Sequence, residues 1–166
     1  KMHDWEYTKL EGDKLEHVMD KWMYNRTNEL IGDFDKALEE YNIAKASRLA
    51  EDYVKELSTW YIRRSRDRFR NGDKDVLDTM HYALLNLSVL LSPIMPFGME
   101  EMYQNLAVNV GVDSAKESVH LVGFPEDNKQ YDEKVLRDMK DVREMVRLGM
   151  SIRDQNKRKL RQPLNK

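Results

Sequence analysis

Apolar residues recur every three or four positions over most of this chain, the spacing that places them on one face of an α-helix. The first such segment predicts a helix that begins at Lys14, with Asp13 as its candidate N-cap. Its apolar positions are Leu15, Val18, Trp22, Leu30, Phe34, Leu38 and Tyr41. A second, long helix is predicted from about Ile43 to Phe69 or Arg70, where the turn-forming sequence Asn-Gly-Asp follows.

The remaining pattern predicts three more helices. Residues 74–91 are apolar around much of the helix circumference, so this helix should be the most buried of the set. Pro93 disfavours a helical residue before it, so a fourth helix should begin with Pro93 or Pro96 in its first turn. Residues 107–131 are loop-like, and a last helix is expected over 132–155. The pattern therefore predicts an all-α fold, an antiparallel bundle of about five helices.

Composition narrows the classes of function. The net charge is −2, so any contact with a polyanion must rest on a local basic stripe rather than on the charge of the whole chain. The absence of cysteine excludes disulfides, a thiolate nucleophile and cysteine-bound zinc, and the four histidines show no metal-ligand spacing. No apolar run approaches the ~20 residues needed to cross a bilayer, and no signal peptide is visible. We therefore expect a soluble, cytoplasmic protein that contacts no membrane.

The most distinctive segment is S-T-W-Y-I-R-R-S-R-D-R-F at residues 58–69. At about 100° per residue, its apolar side continues a stripe that arrives from Ala46, Ala50 and Val54 and passes through Leu57, Tyr61, Ile62, Ser65 and Phe69. Three arginines gather on the opposite side, beside Trp60: Arg63, Arg66 and Arg70. Arg64 and Arg68 lie one turn apart near the border of the apolar face.

Two interpretations of this arginine-rich helix stay open on composition alone. The faces could be solvated, with the border arginines, Arg64 and Arg68, paired to carboxylates of the core. Arginine is also always charged and planar with five donors, which suits directional phosphate binding better than lysine does. We assign Arg64 and Arg68 to the fold and the three opposite arginines to a polyanion.

Several other residues allow two interpretations. Asn25, Arg26 and Asn28 are polar positions in the first helix, and they predict either an interhelical hydrogen bond or contact with RNA. His120 is expected to be a structural histidine in apolar surroundings, and Phe124 is expected to fasten its loop to the bundle. The tail is dense in basic residues, which is typical of a solvated terminus or of RNA contact: Arg153, Lys157, Arg158, Lys159 and Arg161.

The letters W-Y-I-R-R-S-R-D-R-F at 60–69 resemble the signature of the anticodon-binding helical domain of isoleucyl-tRNA synthetase. The segment L-L-S-P-I-M-P-F-G-M-E-E-M-Y is similar to one found in several class I synthetases. The segment E-S-V-H-L-V-G-F-P resembles the family's E-S-V-H-L-x-x-W-P, with Phe124 where tryptophan is commoner. M-D-K-W-M-Y-N-R-T-N-E-L looks like the family's first bundle helix, with Lys21 replacing the more usual arginine. The resemblance covers about residues 15–164.

This resemblance implies a domain organisation and a biological context. Residues 1–13 would lead in from a preceding catalytic domain, 14–156 would form the anticodon-binding bundle, and 157–166 would be a basic junction to a C-terminal domain. The full-length enzyme, typically a monomer, would join isoleucine to its tRNA using ATP and magnesium. We expect neither catalytic residues nor a cofactor or metal in this fragment, because the signatures H-x-G-H and K-M-S-K-S do not occur in it.

The expected partners are the other domains of the synthetase and the anticodon stem-loop of isoleucine-accepting tRNA. The residues expected to contact the tRNA are Arg63, Arg66, Arg70, Asn28, Lys74, Arg153, Arg158 and Arg161. Two alternatives remain at this point. The chain could be the same domain of a valyl- or leucyl-tRNA synthetase, which the arginine run after Trp60-Tyr61 disfavours. It could also be a helical adaptor for protein–protein interaction, which explains the periodicity but not three family segments in order.

Overall fold

The computed structural model describes residues 5–125, 131–159 and 162, and the regular structure in these residues is helical throughout. The α-helices are α1 (Val18–Glu39), α2 (Ile43–Glu56), α3 (Arg63–Arg70), α4 (Lys74–Leu91), α5 (Pro96–Tyr103) and α6 (Glu133–Gln155). The predicted all-α bundle is thereby confirmed. The chain divides into two compact units, Lys1–Tyr131 and Asp132–Lys166. None of the helices in the described residues is long and apolar enough to cross a membrane.

Helix α1 forms the centre of the first unit, where it packs against both α2 and α4. It buries Trp22, Leu30 and Phe34 almost completely. The predicted stripe is wrong at two of its positions, because Val18 is 59% exposed and Tyr41 is 92% exposed. Tyr41 instead closes the helix: its backbone is left-handed, with φ 56°, and its N–H donates to the carbonyl of Leu38.

The predicted start of the first helix is also wrong. Asp13 lies in a short 3₁₀ turn, Gly12–Lys14, and α1 begins at Val18, where the Nδ1 atom of His17 accepts from the N–H of Met19 at 3.2 Å. The reason is that Leu15 is 4% exposed while its backbone is extended, with φ −66° and ψ 129°. The chain therefore leaves the turn extended to bury this side chain.

The long second helix spans the predicted range, but it is not α-helical throughout. Helices α2 and α3 are joined without a break by the π-helical stretch Leu57–Ile62. Tyr53 is buried where the predicted stripe had Val54, which is 42% exposed, and Ile62 is 39% exposed. The buried positions along this rod are Ala46, Ala50, Tyr53, Leu57, Tyr61 and Ser65.

The spacing of these buried positions explains the π-helical stretch. From Tyr53 to Ser65 they follow every fourth residue, whereas an α-helix turns by about 40° too far in four residues. A π-helix places more residues in each turn, so it absorbs the surplus and keeps one side of the rod against the core. This local widening depends on which side chains are buried, so hydrophobic periodicity alone did not predict it.

Helix α5 begins with Pro96 at its first position, as predicted, and packs against α4. The following loop is fastened to it by Glu100, whose Oε2 accepts from the N–H of Val119 and the hydroxyl of Ser118, both at 2.9 Å. A hydrogen bond from Gln104 and the one from Val119 lower the pKa of the Glu100 carboxyl. Val119 is buried in a small cluster with Val89, Tyr103 and Ala107.

The two loop residues singled out by the sequence behave differently. Phe124 stacks on Phe34 with ring centroids 6.4 Å apart, which confirms that it fastens the loop to the bundle. His120 is exposed, so the apolar surroundings expected for it are wrong. The reason is that the neighbouring Val119, and not His120, enters the cluster.

Helix α6, described by itself, matches the predicted range within one residue. Asp132 caps it, accepting from the N–H groups of Lys134 and Val135 at 2.9 and 3.2 Å. Of the apolar positions in this helix, Met139 is buried, whereas Val142 is 48% and Met150 is 44% exposed. The three-part division at residues 13 and 156 stays a prediction.

Candidate RNA-binding face

The exposed side of α3 carries the three arginines that the sequence assigned to a polyanion. Arg63, Arg66 and Arg70 are all exposed, and their spacing of three and then four residues places them in one row along the helix. Arg70 is ion-paired with Asp67. Among the residues that the structure describes, neither Arg63 nor Arg66 forms an ion pair. We call this row the arginine face.

Arg68, from the other side of the same helix, holds the fold together. Its Nη1 and Nη2 donate to the two carboxylate oxygens of Asp20 at 2.9 and 2.6 Å, and its Nε donates to Asp73 at 2.9 Å. Asp20 is completely buried, so the prediction that Arg68 pairs with a core carboxylate is confirmed. The pair links the first turn of α1 to α3 and to the N-cap of α4.

The buried carboxylate of Asp20 has a second partner on the rod. The hydroxyl of Tyr61 donates to Asp20 Oδ1 at 2.7 Å. Burial and the adjacent carboxylate raise the pKa of Tyr61 far above its usual value, so the hydroxyl keeps its proton. Hydrogen bonding to Arg68 lowers the pKa of Asp73. One acid thus fixes two side chains of the rod, Tyr61 and Arg68, and orients the arginine face.

Arg64 lies at the surface and not at the border of the core, and its expected pairing with a buried carboxylate stays a prediction. It is exposed, and its Cζ atom lies 3.0 Å from the centroid of the Trp60 ring. The guanidinium therefore covers the indole, an attractive arrangement of a cation over an aromatic face. The spacing of four residues between Trp60 and Arg64 allows this contact, but sequence reasoning placed Arg64 beside the core because it assumed an unbroken α-helix.

Two further predicted RNA contacts lie on other helices of the first unit. Asn28 is half-buried, and its Oδ1 accepts from the hydroxyl of Tyr82 at 2.6 Å. Lys74 donates to Asp78 at 3.0 Å and to Thr8 at 2.5 Å. Both side chains are engaged within the protein, so for Asn28 the interhelical hydrogen bond is the interpretation that the structure supports. RNA contact by these two residues stays a prediction.

The basic tail belongs to the second unit. The Nη1 atom of Arg153 donates to the backbone carbonyls of Lys159 and Gln162 at 3.0 and 2.9 Å, so Arg153 organises the end of α6. Arg158 is exposed. Arg161 lies outside the described residues. Contact between these tail arginines and RNA stays a prediction.

In the described part of the chain, no group of three or more histidine, cysteine or carboxylate side chains could hold a metal ion. What the geometry offers is a rigid helical surface with positive charge, a planar guanidinium and an aromatic ring beneath it. Phosphates and unpaired bases are the chemical groups that such a surface binds. An all-helical bundle with such a face is typical of nucleic-acid-binding modules.

Comparison with known proteins specifies the module. Residues 20–166 match the family described as the anticodon-binding domain of tRNA ligases, and the chain belongs to this family. It is similar to the isoleucine–tRNA ligase of Cutibacterium acnes, with 39% identity over 151 residues, 90% of this chain and 14% of the relative. The enzyme of the same name from Dehalococcoides mccartyi is 40% identical over 161 residues, 93% of this chain and 16% of the relative. The isoleucine–tRNA ligase of Clostridium tetani is 38% identical over 157 residues, which cover 90% of this chain and 15% of the relative. The chain therefore spans about a sixth or less of the length of these relatives.

Proposed function

We propose that this chain is the anticodon-binding domain of an isoleucine–tRNA ligase. It holds the anticodon stem-loop of isoleucine-accepting tRNA, while other domains of the enzyme join isoleucine to that tRNA with ATP and magnesium. The family to which the chain belongs and the names of its relatives support this function. The observation that carries it is the arginine face, because Arg63 and Arg66 are exposed and form no ion pair in the described residues.

The arginine face suits the backbone of the stem. Each arginine that neutralises a phosphate releases condensed counterions, so affinity falls steeply as salt rises. Phosphate contacts also set the register of the protein on the RNA, and the bases of the loop then decide specificity. With a net charge of −2 the chain as a whole does not attract RNA, so binding must depend on local basic surfaces such as this face.

The first experiment measures binding of the chain to an isoleucine anticodon stem-loop by fluorescence anisotropy across a salt series. Arg66→Ala should weaken binding and reduce the slope of log affinity against log salt by about one. Arg48→Ala is the matched control, because Arg48 is exposed on α2 and its Nε donates to the carbonyl of Ala44. An Arg66→Ala variant that binds as tightly as the unaltered chain would contradict the assignment of this face.

Specificity for isoleucine is tested with stem-loops that differ in their anticodon. Valine and leucine stem-loops should bind more weakly at the same salt concentration, with a similar salt slope. Equal binding of all three would leave a phosphate-binding face without the proposed specificity. The proposal also includes a cytoplasmic and monomeric enzyme, as the family resemblance implies.

A further inference from the structure

The contact between Trp60 and Arg64 is a layered structure at the protein surface. The guanidinium of Arg64 lies over the half-buried indole with its Cζ atom 3.0 Å from the ring centroid, and Arg64 itself is exposed. The guanidinium carbon thus already lies over the aromatic ring before any ligand arrives. We call this pair the Trp60–Arg64 stack.

The stack is held by the core of the protein. Trp60 belongs to the π-helical stretch, and the next residue, Tyr61, is completely buried and hydrogen-bonded to Asp20 at 2.7 Å. π-Helical segments redirect the side chains they contain and occur frequently at functional sites. The buried and hydrogen-bonded Tyr61 therefore anchors the backbone next to Trp60.

A phosphate-binding group adjoins the stack. Arg63 is three residues from Trp60 and is its neighbour along the helix surface, whereas Arg66 is two residues from Arg64 and faces another side of α3. A nucleotide whose base lies on the guanidinium would place its own phosphate within reach of the exposed Arg63. The geometry therefore offers one site for a base and an adjoining site for its backbone.

We propose that the Trp60–Arg64 stack is the platform on which one unpaired base of the stem-loop lies. Unstacked loop bases are bound in proteins by aromatic rings and by the planes of arginine guanidinium groups. The guanidinium adds attraction through its charge, while the indole beneath it keeps the plane in place. This inference rests on the proposed function and extends it from the backbone to a base.

The test uses the 166-residue chain and isoleucine anticodon stem-loops that carry a fluorescent adenine analogue at each loop position in turn. Stacking quenches the analogue, so the unaltered chain should quench one position strongly. Arg64→Lys keeps the charge and removes the plane, and it should abolish that quenching and weaken binding about tenfold, with an unchanged salt slope. Trp60→Leu removes the lower layer and should abolish quenching at the same position, with helicity checked by circular dichroism. Arg48→Lys is the control and should leave both measurements unchanged.

The outcomes separate this inference from the proposed function. If the unaltered chain binds no stem-loop, both are wrong. If it binds with the expected salt slope but quenches no loop position, or if Arg64→Lys quenches and binds as the unaltered chain does, only the base platform is wrong. Should Trp60→Leu fail to fold, the Arg64→Lys result decides alone.

Discussion

Asp20 and Asp67 both form ion pairs with arginines of α3, and burial makes the contributions of these two pairs to stability very different. Asp20 is 0% exposed and accepts from Arg68 and from the hydroxyl of Tyr61. The side chain of Asp67 is 81% exposed and pairs with Arg70. An exposed ion pair adds about 0–1 kcal/mol to the free energy of unfolding. Removing one partner of a buried pair lowers it by about 3–5 kcal/mol, because the other charge loses its compensation.

We therefore expect Asp20→Asn to lower the free energy of unfolding by about 3 kcal/mol, because the amide leaves the charge of Arg68 poorly compensated. The matched change Asp67→Asn should alter it by less than about 1 kcal/mol. Urea unfolding followed by circular dichroism measures both. Equal effects of the two substitutions would mean that Asp20 does not organise the core as described.

For the ion pair between Asp20 and Arg68, the sequence predicted one partner and not the other. A position on the border of the apolar face identified Arg68 as a partner of a core carboxylate, since a charge at that place must be compensated. Which carboxylate it meets could not be predicted, because Asp20 lies 48 residues away and is brought close only by the packing of α1. Arg64 was placed at the same border but is exposed, because the π-helical stretch changes the direction of the side chains near it.

Along a whole element, the π-helical stretch Leu57–Ile62 behaves as an insertion into a regular helix. Three turns of α-helix take about 10.8 residues, but the buried positions from Tyr53 to Ser65 are separated by twelve. The rod therefore contains about one residue more than an α-helix with the same buried side would need. Hydrophobic spacing of this kind is visible in the sequence only once the buried residues are known.

Deleting the exposed residue Thr59 should therefore be tolerated, because the rod can close into an α-helix while Tyr61 and Ser65 keep facing the core. Deleting Ser47, an exposed residue of α2, should lower the thermal stability strongly. This deletion turns the buried positions before and after residue 47 by about 100° relative to each other. Thermal unfolding monitored by circular dichroism compares the two deletions. Equal loss of stability in both would contradict the description of the stretch as one surplus residue.

At the scale of the whole molecule, the sequence predicted the helices better than the connections between them. The helices follow apolar periodicity, whereas the lead-in segment at residues 5–11 has weak periodicity and is fastened by polar contacts. The indole of Trp5 and the hydroxyl of Thr8 both donate to the carboxylate of Asp78 at 2.7 Å. The rings of Trp5 and Tyr7 each lie 5.1 Å from the ring of His81. Such contacts between a segment and a distant helix leave no periodic signal.

These contacts fasten the lead-in segment to α4. A segment that is fastened in this way sets the direction in which the chain enters the bundle. Asp78 is 7% exposed and accepts from three donors, which come from Trp5, Thr8 and Lys74. Loss of this carboxylate should therefore release the segment without unfolding the bundle.

We expect Asp78→Ala to accelerate tryptic cleavage after Lys9, an exposed residue within the lead-in segment, by at least about tenfold. Hydrogen bonds to a charged acceptor contribute about 1.5–3 kcal/mol each. Losing the two from Trp5 and Thr8 should therefore raise the population of the released segment by at least the same factor. Mass spectrometry of the early fragments measures the rate. Asp75→Ala, at an exposed position in the first turn of α4, serves as the control and should leave cleavage unchanged. Cleavage at the same rate in the unaltered chain and in Asp78→Ala would mean that ring packing on His81, and not Asp78, fastens the entrance to the bundle.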